Sequence, residues 1–199
     1  MDDDEDLARQ LQAAIEGSRG YASYWEWAPD RQQQELGVAE ALAKYLSFSE
    51  NAAIEYLSPV ESDPPDAVMR LADQRLIGIE VTELVDAKTA EGARYAKSNG
   101  GGHVPWASWD STRLANDLKK RIMDKDAKLA ACRDQYDEMM LAIATDEPLI
   151  TLEIASSAFI SLQIEAKNID RAFLLLSYHP DYNIPEFPGG IPVLEIGIS

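Results

Sequence analysis

The chain has 199 residues, the size of one domain, and its 46% hydrophobic and 27% charged residues are typical of a folded globular protein rather than a disordered one. Its longest apolar runs, such as 172–176, are far shorter than the roughly 20 residues that a membrane-spanning helix needs, so we expect no membrane partner. The single cysteine, Cys132, excludes an internal disulfide, and the first residues lack the pattern of a secretion signal. We therefore expect a cytoplasmic protein.

The net charge of −17 argues against strong non-specific binding of nucleic acid. The charge is unevenly distributed, because residues 1–66 hold fifteen acids and four bases whereas residues 88–133 hold ten bases and five acids. The basic segment has two interpretations, a surface that meets phosphate and a solvated basic helix. Both remain open from the sequence.

Residues 1–20 are predicted to form an acidic amphipathic helix, and residues 21–199 a single α/β domain. The acids at 2–6 precede an apolar stripe of Leu7, Leu11 and Ile15 at helical spacing. The spacing of Ala14 and Ser18 resembles that of the ubiquitin-interacting motif, which implies a partner-binding helix as a third hypothesis. A helix docked on the domain is the simpler interpretation.

The remaining pattern predicts a mixed β-sheet flanked by helices. Asp30 is expected to cap a helix that runs to about Phe48 and places Glu35 on the same face as its apolar stripe. A second long helix is expected from Asp110 to Cys132, after an irregular segment at 86–109. Segment 156–167 fits either a strand or a helix. Strands are predicted at 53–57, 67–72, 76–85, 149–154, 171–177 and 193–198.

Two acids lie in the predicted hairpin of the second and third strands. Asp66 follows Pro65 where the first of these strands begins, and Glu80 lies inside the next strand. Because side chains alternate along a strand, Glu80 and Thr82 point to one face of the sheet. Phosphodiester hydrolysis with a metal ion requires carboxylates that lie close together. The hairpin is therefore the first candidate for an active site.

The sequence PPD, a hairpin and then IEVT resembles the motif of the PD-(D/E)XK nuclease superfamily. The resemblance implies that Asp66 and Glu80 bind Mg²⁺ or Mn²⁺ and activate water, and that Glu35 is the additional acid of the first helix. Thr82 stands where the family has lysine. The resemblance then leaves two possibilities: Lys119 or Lys125 of the following helix replaces the lysine, or catalysis has been lost.

Two main hypotheses follow. The first is metal-dependent hydrolysis of nucleic acid, with DNA as the default substrate. The second is a catalytically inactive domain of the same fold that binds a protein or nucleic acid. An ammonium group close to the carboxylates of Asp66 and Glu80 would favour the first hypothesis. The apolar alternation at 191–198 fits either completion of the sheet or pairing in a homodimer.

Overall fold

The computed structural model describes residues 20–22, 30–61, 63–100, 104–177 and 191–198. The helix predicted at 1–20 lies outside these residues except for Gly20. Within these ranges, no helix has both the length and the apolar character that crossing a bilayer requires.

The described residues form an α/β fold in which a six-stranded mixed sheet is flanked by helices, as the sequence predicted. The helices are α1 (Arg31–Ser49), α2 (Ala87–Ser98), α3 (Ser111–Leu129) and α4 (Leu152–Ser161), with a short 3₁₀ helix at Arg133–Gln135. The strands are β1 (Ile54–Pro59), β2 (Ala67–Leu71), β3 (Leu76–Glu83), β4 (Glu138–Thr145), β5 (Arg171–Leu176) and β6 (Val193–Ile196).

The strands lie in the sheet in the order in which they occur along the chain. β1, β2 and β3 form an antiparallel meander, β3 to β5 are parallel, and β6 is antiparallel to β5. A parallel neighbour requires a crossover connection, and α2 with α3 provides it between β3 and β4 while α4 provides it between β4 and β5. The long helix α3 is thus part of the connection that follows β3.

The two faces of the sheet are covered by different helices. On one face, α1 packs its apolar stripe against alternate residues of the central strands; this cluster includes Leu42, Leu46, Met69, Ile79 and Phe173. On the other face, α2, α3 and α4 pack against the intervening residues; this cluster includes Leu84, Leu118, Ile122, Leu141 and Ile143. The alternation of buried residues along β3 and β4 separates the two clusters.

The prediction of a strand at 149–154 is wrong, because a helix begins within this segment. Thr151 caps a helix there, because its hydroxyl accepts a hydrogen bond from the backbone N–H of Ile154 at 3.2 Å, and the buried Ala155 and Ala158 follow at helical spacing. The strand beside β3 is instead β4, which is buried on both faces and therefore has a continuous apolar sequence rather than an alternating one.

The segment predicted to be irregular at 86–109 contains helix α2. The side chain of Asp86 accepts a hydrogen bond from the backbone N–H of Thr89 at 2.7 Å and so caps the helix. Ala90 and Ala93, three positions apart, are its buried residues. The predicted long helix is present as α3 but ends at Leu129, before Cys132.

The buried carboxylate of Glu147 fixes the chain that leads into α3. Glu147 is 1% exposed and accepts hydrogen bonds from the backbone N–H of Asp86 at 2.6 Å, from Trp109 Nε1 at 3.0 Å and from the Tyr21 hydroxyl. Trp109 directly precedes Asp110, whose side chain caps α3. Glu147 therefore holds the start of α3 against the carboxyl end of β4.

Replacing Glu147 with alanine should lower the free energy of unfolding by about 3 kcal/mol, because several donors lose a buried acceptor at once. Glu153→Ala, which removes an exposed acid from α4, is the matched control and should cost less than about 1 kcal/mol. Urea unfolding measures both values. Equal losses in the two variants would contradict the anchoring role.

Candidate active site

Glu80 is a buried carboxylate that is paired with two lysines of α3. Its side chain has 0% exposure, and Oε1 lies 2.5 Å from Nζ of Lys125 and 3.3 Å from Nζ of Lys128. Lys125 also donates to the backbone carbonyl of Val81 at 3.2 Å. Because an isolated charge is costly to bury, these ammonium groups are what allow Glu80 to lie inside the protein as a carboxylate.

Asp66 lies at the beginning of β2, beside β3. Its Oδ2 accepts a hydrogen bond from the backbone N–H of Val81 at 2.7 Å, and the residue is 8% exposed. Burial, together with the negative charges of Glu80 and Glu35, raises the pKa of Asp66 to about 6, although the hydrogen bond from Val81 acts in the opposite direction. The raised pKa reflects mainly the burial of Asp66, and the negative charges of Glu80 and Glu35 add to it.

A third acid, Asp63, joins this pair from the loop before β2. One carboxylate oxygen from each of Asp63, Asp66 and Glu80 lies within 4.8 Å of the others. Asp63 Oδ1 is 2.5 Å from Nζ of Lys128, and this hydrogen bond holds the pKa of Asp63 below its usual range. Lys128 therefore bridges Asp63 and Glu80.

The residues present fit a divalent cation. Within the part of the chain that the structure describes, Oε2 of Glu80 is buried and has no hydrogen-bond partner. A buried carboxylate oxygen without a partner is rare in a folded protein and is an available ligand. Hard cations such as Mg²⁺ and Mn²⁺ prefer carboxylate oxygens, and three such groups converge here.

A cleft of about 290 Å³ opens beside this cluster, between α1 and the end of β3. Glu35, Thr82 and Lys125 all line it, together with Arg31. The Glu35 carboxylate accepts a hydrogen bond from Arg31 Nε at 2.5 Å and is 18% exposed. The predicted site residues Glu35 and Thr82 thus share a cleft with Lys125.

Lys119 lies elsewhere. It lines a different hollow on the surface, with Met123 of α3 and the chain after α4, including Leu162 and Ile164. Six positions separate Lys119 from Lys125, which corresponds to about one and two-thirds helical turns, so the two side chains point in different directions. Of the two candidate lysines, Lys119 and Lys125, only Lys125 contacts Glu80 within the part of the chain that the structure describes.

Sequence reasoning missed Asp63 and Lys128. Asp63 precedes Asp66 by three positions in the proline-rich loop, which has no regular period from which a direction could be inferred. Lys128 follows Lys125 by three positions, and this spacing places both lysines on one face of a helix. That spacing was a usable signal for Lys128, whereas the sequence carried none for Asp63.

The pKa of Asp66 gives a pH dependence with a definite sign. Between pH 3.8 and about 6 the folded chain retains a proton that the unfolded chain has lost, so the stabilisation is present at low pH and disappears as the pH rises through 6. Relative to Asp66→Asn, the wild-type free energy of unfolding should fall by about 2 kcal/mol between pH 4 and pH 7.

Urea unfolding at several pH values, with a chelator present, checks this expectation. Asp73→Asn is the control, because the hydrogen bonds from Arg75 lower the pKa of this exposed carboxyl and the difference should have the opposite sign. A difference between wild type and Asp66→Asn that stays constant or grows with pH would contradict the raised pKa.

The chain is only weakly similar to known proteins. No family model matches the chain, and no curated protein matches its sequence. Among solved structures, the comparison finds SfsA from Pyrococcus furiosus in complex with Ca²⁺, with 14% identity and a TM-score of 0.28. The match covers 84% of this chain and 64% of the SfsA chain, so this chain spans less than two thirds of that protein.

Proposed function

We propose that this protein is a metal-dependent phosphodiesterase of the PD-(D/E)XK type that acts on nucleic acid, with DNA as the default substrate. The observation that carries the proposal is the ammonium group of Lys125, 2.5 Å from the buried carboxylate of Glu80. If Asp66 and Glu80 were only solvated acids of the sheet, no ammonium group would be needed beside them. A nuclease site of this type combines carboxylates with a positively charged side chain, and here that side chain is Lys125 of α3.

Asp66 and Glu80 would hold Mg²⁺ or Mn²⁺, and Glu35 would contribute negative charge from α1. When bound, the ion polarises the phosphate and lowers the pKa of a coordinated water. The hydrogen bond from the N–H of Val81 fixes the orientation of Asp66, and the pairing with Lys125 fixes Glu80. The protein thus holds both ligand side chains in a fixed orientation before the ion binds.

Lys125 takes the role of the family lysine in this proposal. Its Nζ is tethered to both Glu80 and the Val81 carbonyl, so its positive charge stays beside the carboxylates. A fixed ammonium at this place stabilises the negative charge that grows on the phosphate during hydrolysis. Thr82 has no charge to offer, and it lines the cleft beside Lys125.

The cleft provides a route for a phosphodiester. Arg31 lies on its rim with a side chain that is 73% exposed, and it can pair with a phosphate when it leaves Glu35. The wider acidity of the chain, with its net charge of −17, disfavours a long contact with a duplex. A small number of phosphate contacts is therefore the binding mode that the charges support.

The net charge also favours a second candidate, an inactive domain of the same fold that binds a protein partner. In that case the pairs between Glu80 and the lysines would only stabilise the fold. The two candidates differ in one measurable respect, because only the nuclease requires that Asp66, Glu80 and Lys125 be chemically intact for turnover.

Purified protein should cleave single- or double-stranded DNA at low salt when Mg²⁺ or Mn²⁺ is added. Asp66→Ala, Glu80→Ala and Lys125→Met should each reduce the cleavage rate by at least about 100-fold, because each removes a charge from the reacting centre. Gel analysis of labelled DNA, with RNA in parallel, measures the rates.

Lys119→Met is the matched control. It removes the same charge from the same helix at a position that lines another hollow, and it should leave the rate within about twofold of wild type. Circular dichroism establishes that each variant is folded. Absence of metal-dependent cleavage in the wild type, or equal losses in Lys119→Met and Lys125→Met, would overturn the proposed function.

A further inference from the structure

Lys128 occupies a place in the carboxylate cluster that the catalytic proposal leaves unexplained. Its Nζ contacts Asp63 Oδ1 at 2.5 Å and Glu80 Oε1 at 3.3 Å. It therefore joins two acids that come from different parts of the chain, the loop before β2 and the middle of β3. The position between these two carboxylates, which the Lys128 ammonium occupies, is one where a positive charge is electrostatically favoured.

The charges of the cluster depend on whether a divalent cation is present. Three carboxylates face two ammonium groups, those of Lys125 and Lys128, so the cluster alone is close to charge balance. A bound divalent cation would add two positive charges within a few Å of both lysines. Like charges at that separation repel strongly in a buried site, so one lysine should leave.

The contacts identify Lys128 as the lysine that leaves. Its side chain is 38% exposed, against 19% for Lys125, and its partner Asp63 is 55% exposed. Lys125 has a second acceptor in the backbone carbonyl of Val81, which keeps it in place. Lys128 is already partly exposed to solvent, and its departure frees Asp63 and leaves Oε1 of Glu80 with Lys125 as its remaining ammonium partner.

We propose that Asp63 is a third ligand for the divalent cation and that Lys128 is a built-in competitor, which occupies the ligands until the cation displaces it. This inference rests on the proposed function for the existence of the metal site, and it adds a residue and a form of regulation that the motif does not contain. The buried oxygen of Glu80 that has no partner among the described residues is the independent sign that the cluster accepts a ligand.

The experiment measures Mn²⁺ binding directly, by the loss of the electron paramagnetic resonance signal of free Mn²⁺. Lys128→Met should bind Mn²⁺ at least about tenfold more tightly than wild type, since the competing charge is gone. Asp63→Asn should bind at least about tenfold more weakly, since a ligand is lost and Lys128 remains on Glu80. Lys120→Met, which removes an exposed charge from the same helix, should stay within about twofold of wild type.

A second variant and a second measurement distinguish a change in Mn²⁺ affinity from a folding defect. Lys128→Gln should behave like Lys128→Met, and added Mn²⁺ should raise the melting temperature more in both variants than in wild type. Unchanged or weaker binding in the two Lys128 variants would overturn the competitor role. Unchanged binding in Asp63→Asn would overturn the ligand role, and no binding in wild type or in either Lys128 variant would overturn both.

The outcomes also separate this inference from the proposed function. If the Mn²⁺ affinities change as expected but no nucleic acid is cleaved, the metal site and its competitor stand and the nuclease proposal fails. If cleavage occurs and depends on Asp66 and Glu80 but the affinities of the Lys128 variants match wild type, the nuclease proposal stands and the inference fails.

Discussion

The ion pair between Glu80 and Lys125 is the interaction on which the candidate site depends. Glu80 has no exposed surface, and a carboxylate in such a place is tolerated only when a charge of opposite sign lies against it. The partner is not a neighbour in sequence or in the sheet but a residue of α3, 45 positions away along the chain. The position of α3 therefore decides whether the site exists.

Contacts near both ends of α3 hold the helix in that position. At its start, the Glu147 carboxylate binds Trp109, next to the capping residue of the helix. Towards its end, Asp126 Oδ1 accepts backbone hydrogen bonds from Asn168 at 2.7 Å and from Ile169 at 3.1 Å, just before β5. Both acids act as acceptors for groups that would otherwise be left without partners, so these polar contacts add to the apolar packing that holds α3 against the sheet.

The sequence predicted most of the sheet because most of its strands carry a local signal. The meander of β1 to β3 has alternating or β-branched residues and a turn, and these features are visible in a window of ten residues. Strand β4 was not predicted, because its methionines, leucine and alanines also suit a helix. Only its burial between β3 and β5 makes it a strand. Helix α2 was not predicted, because its buried residues are two alanines, which form too weak an apolar stripe to indicate a helix.

The candidate site was predictable in part. The hairpin motif brings Asp66 and Glu80 together through strand pairing, which follows a regular rule. The choice between Lys119 and Lys125 could not be made from the sequence, because the rotation of a helix about its axis depends on how it packs. Asp63 and Lys128 meet across a loop, and the path of a loop has no period from which to read a direction.

In the proposed nuclease site the positive charge lies on α3 instead of β3, so that Lys125 would do what a lysine at position 82 does in the family motif. The most direct measurement is the metal-dependent cleavage rate of the double variant Thr82→Lys, Lys125→Met beside Lys125→Met alone. Because residues 80 and 82 point to the same face of β3, we expect the new lysine to restore at least part of the lost rate. Full activity in Lys125→Met, or no recovery in a folded double variant, would contradict it.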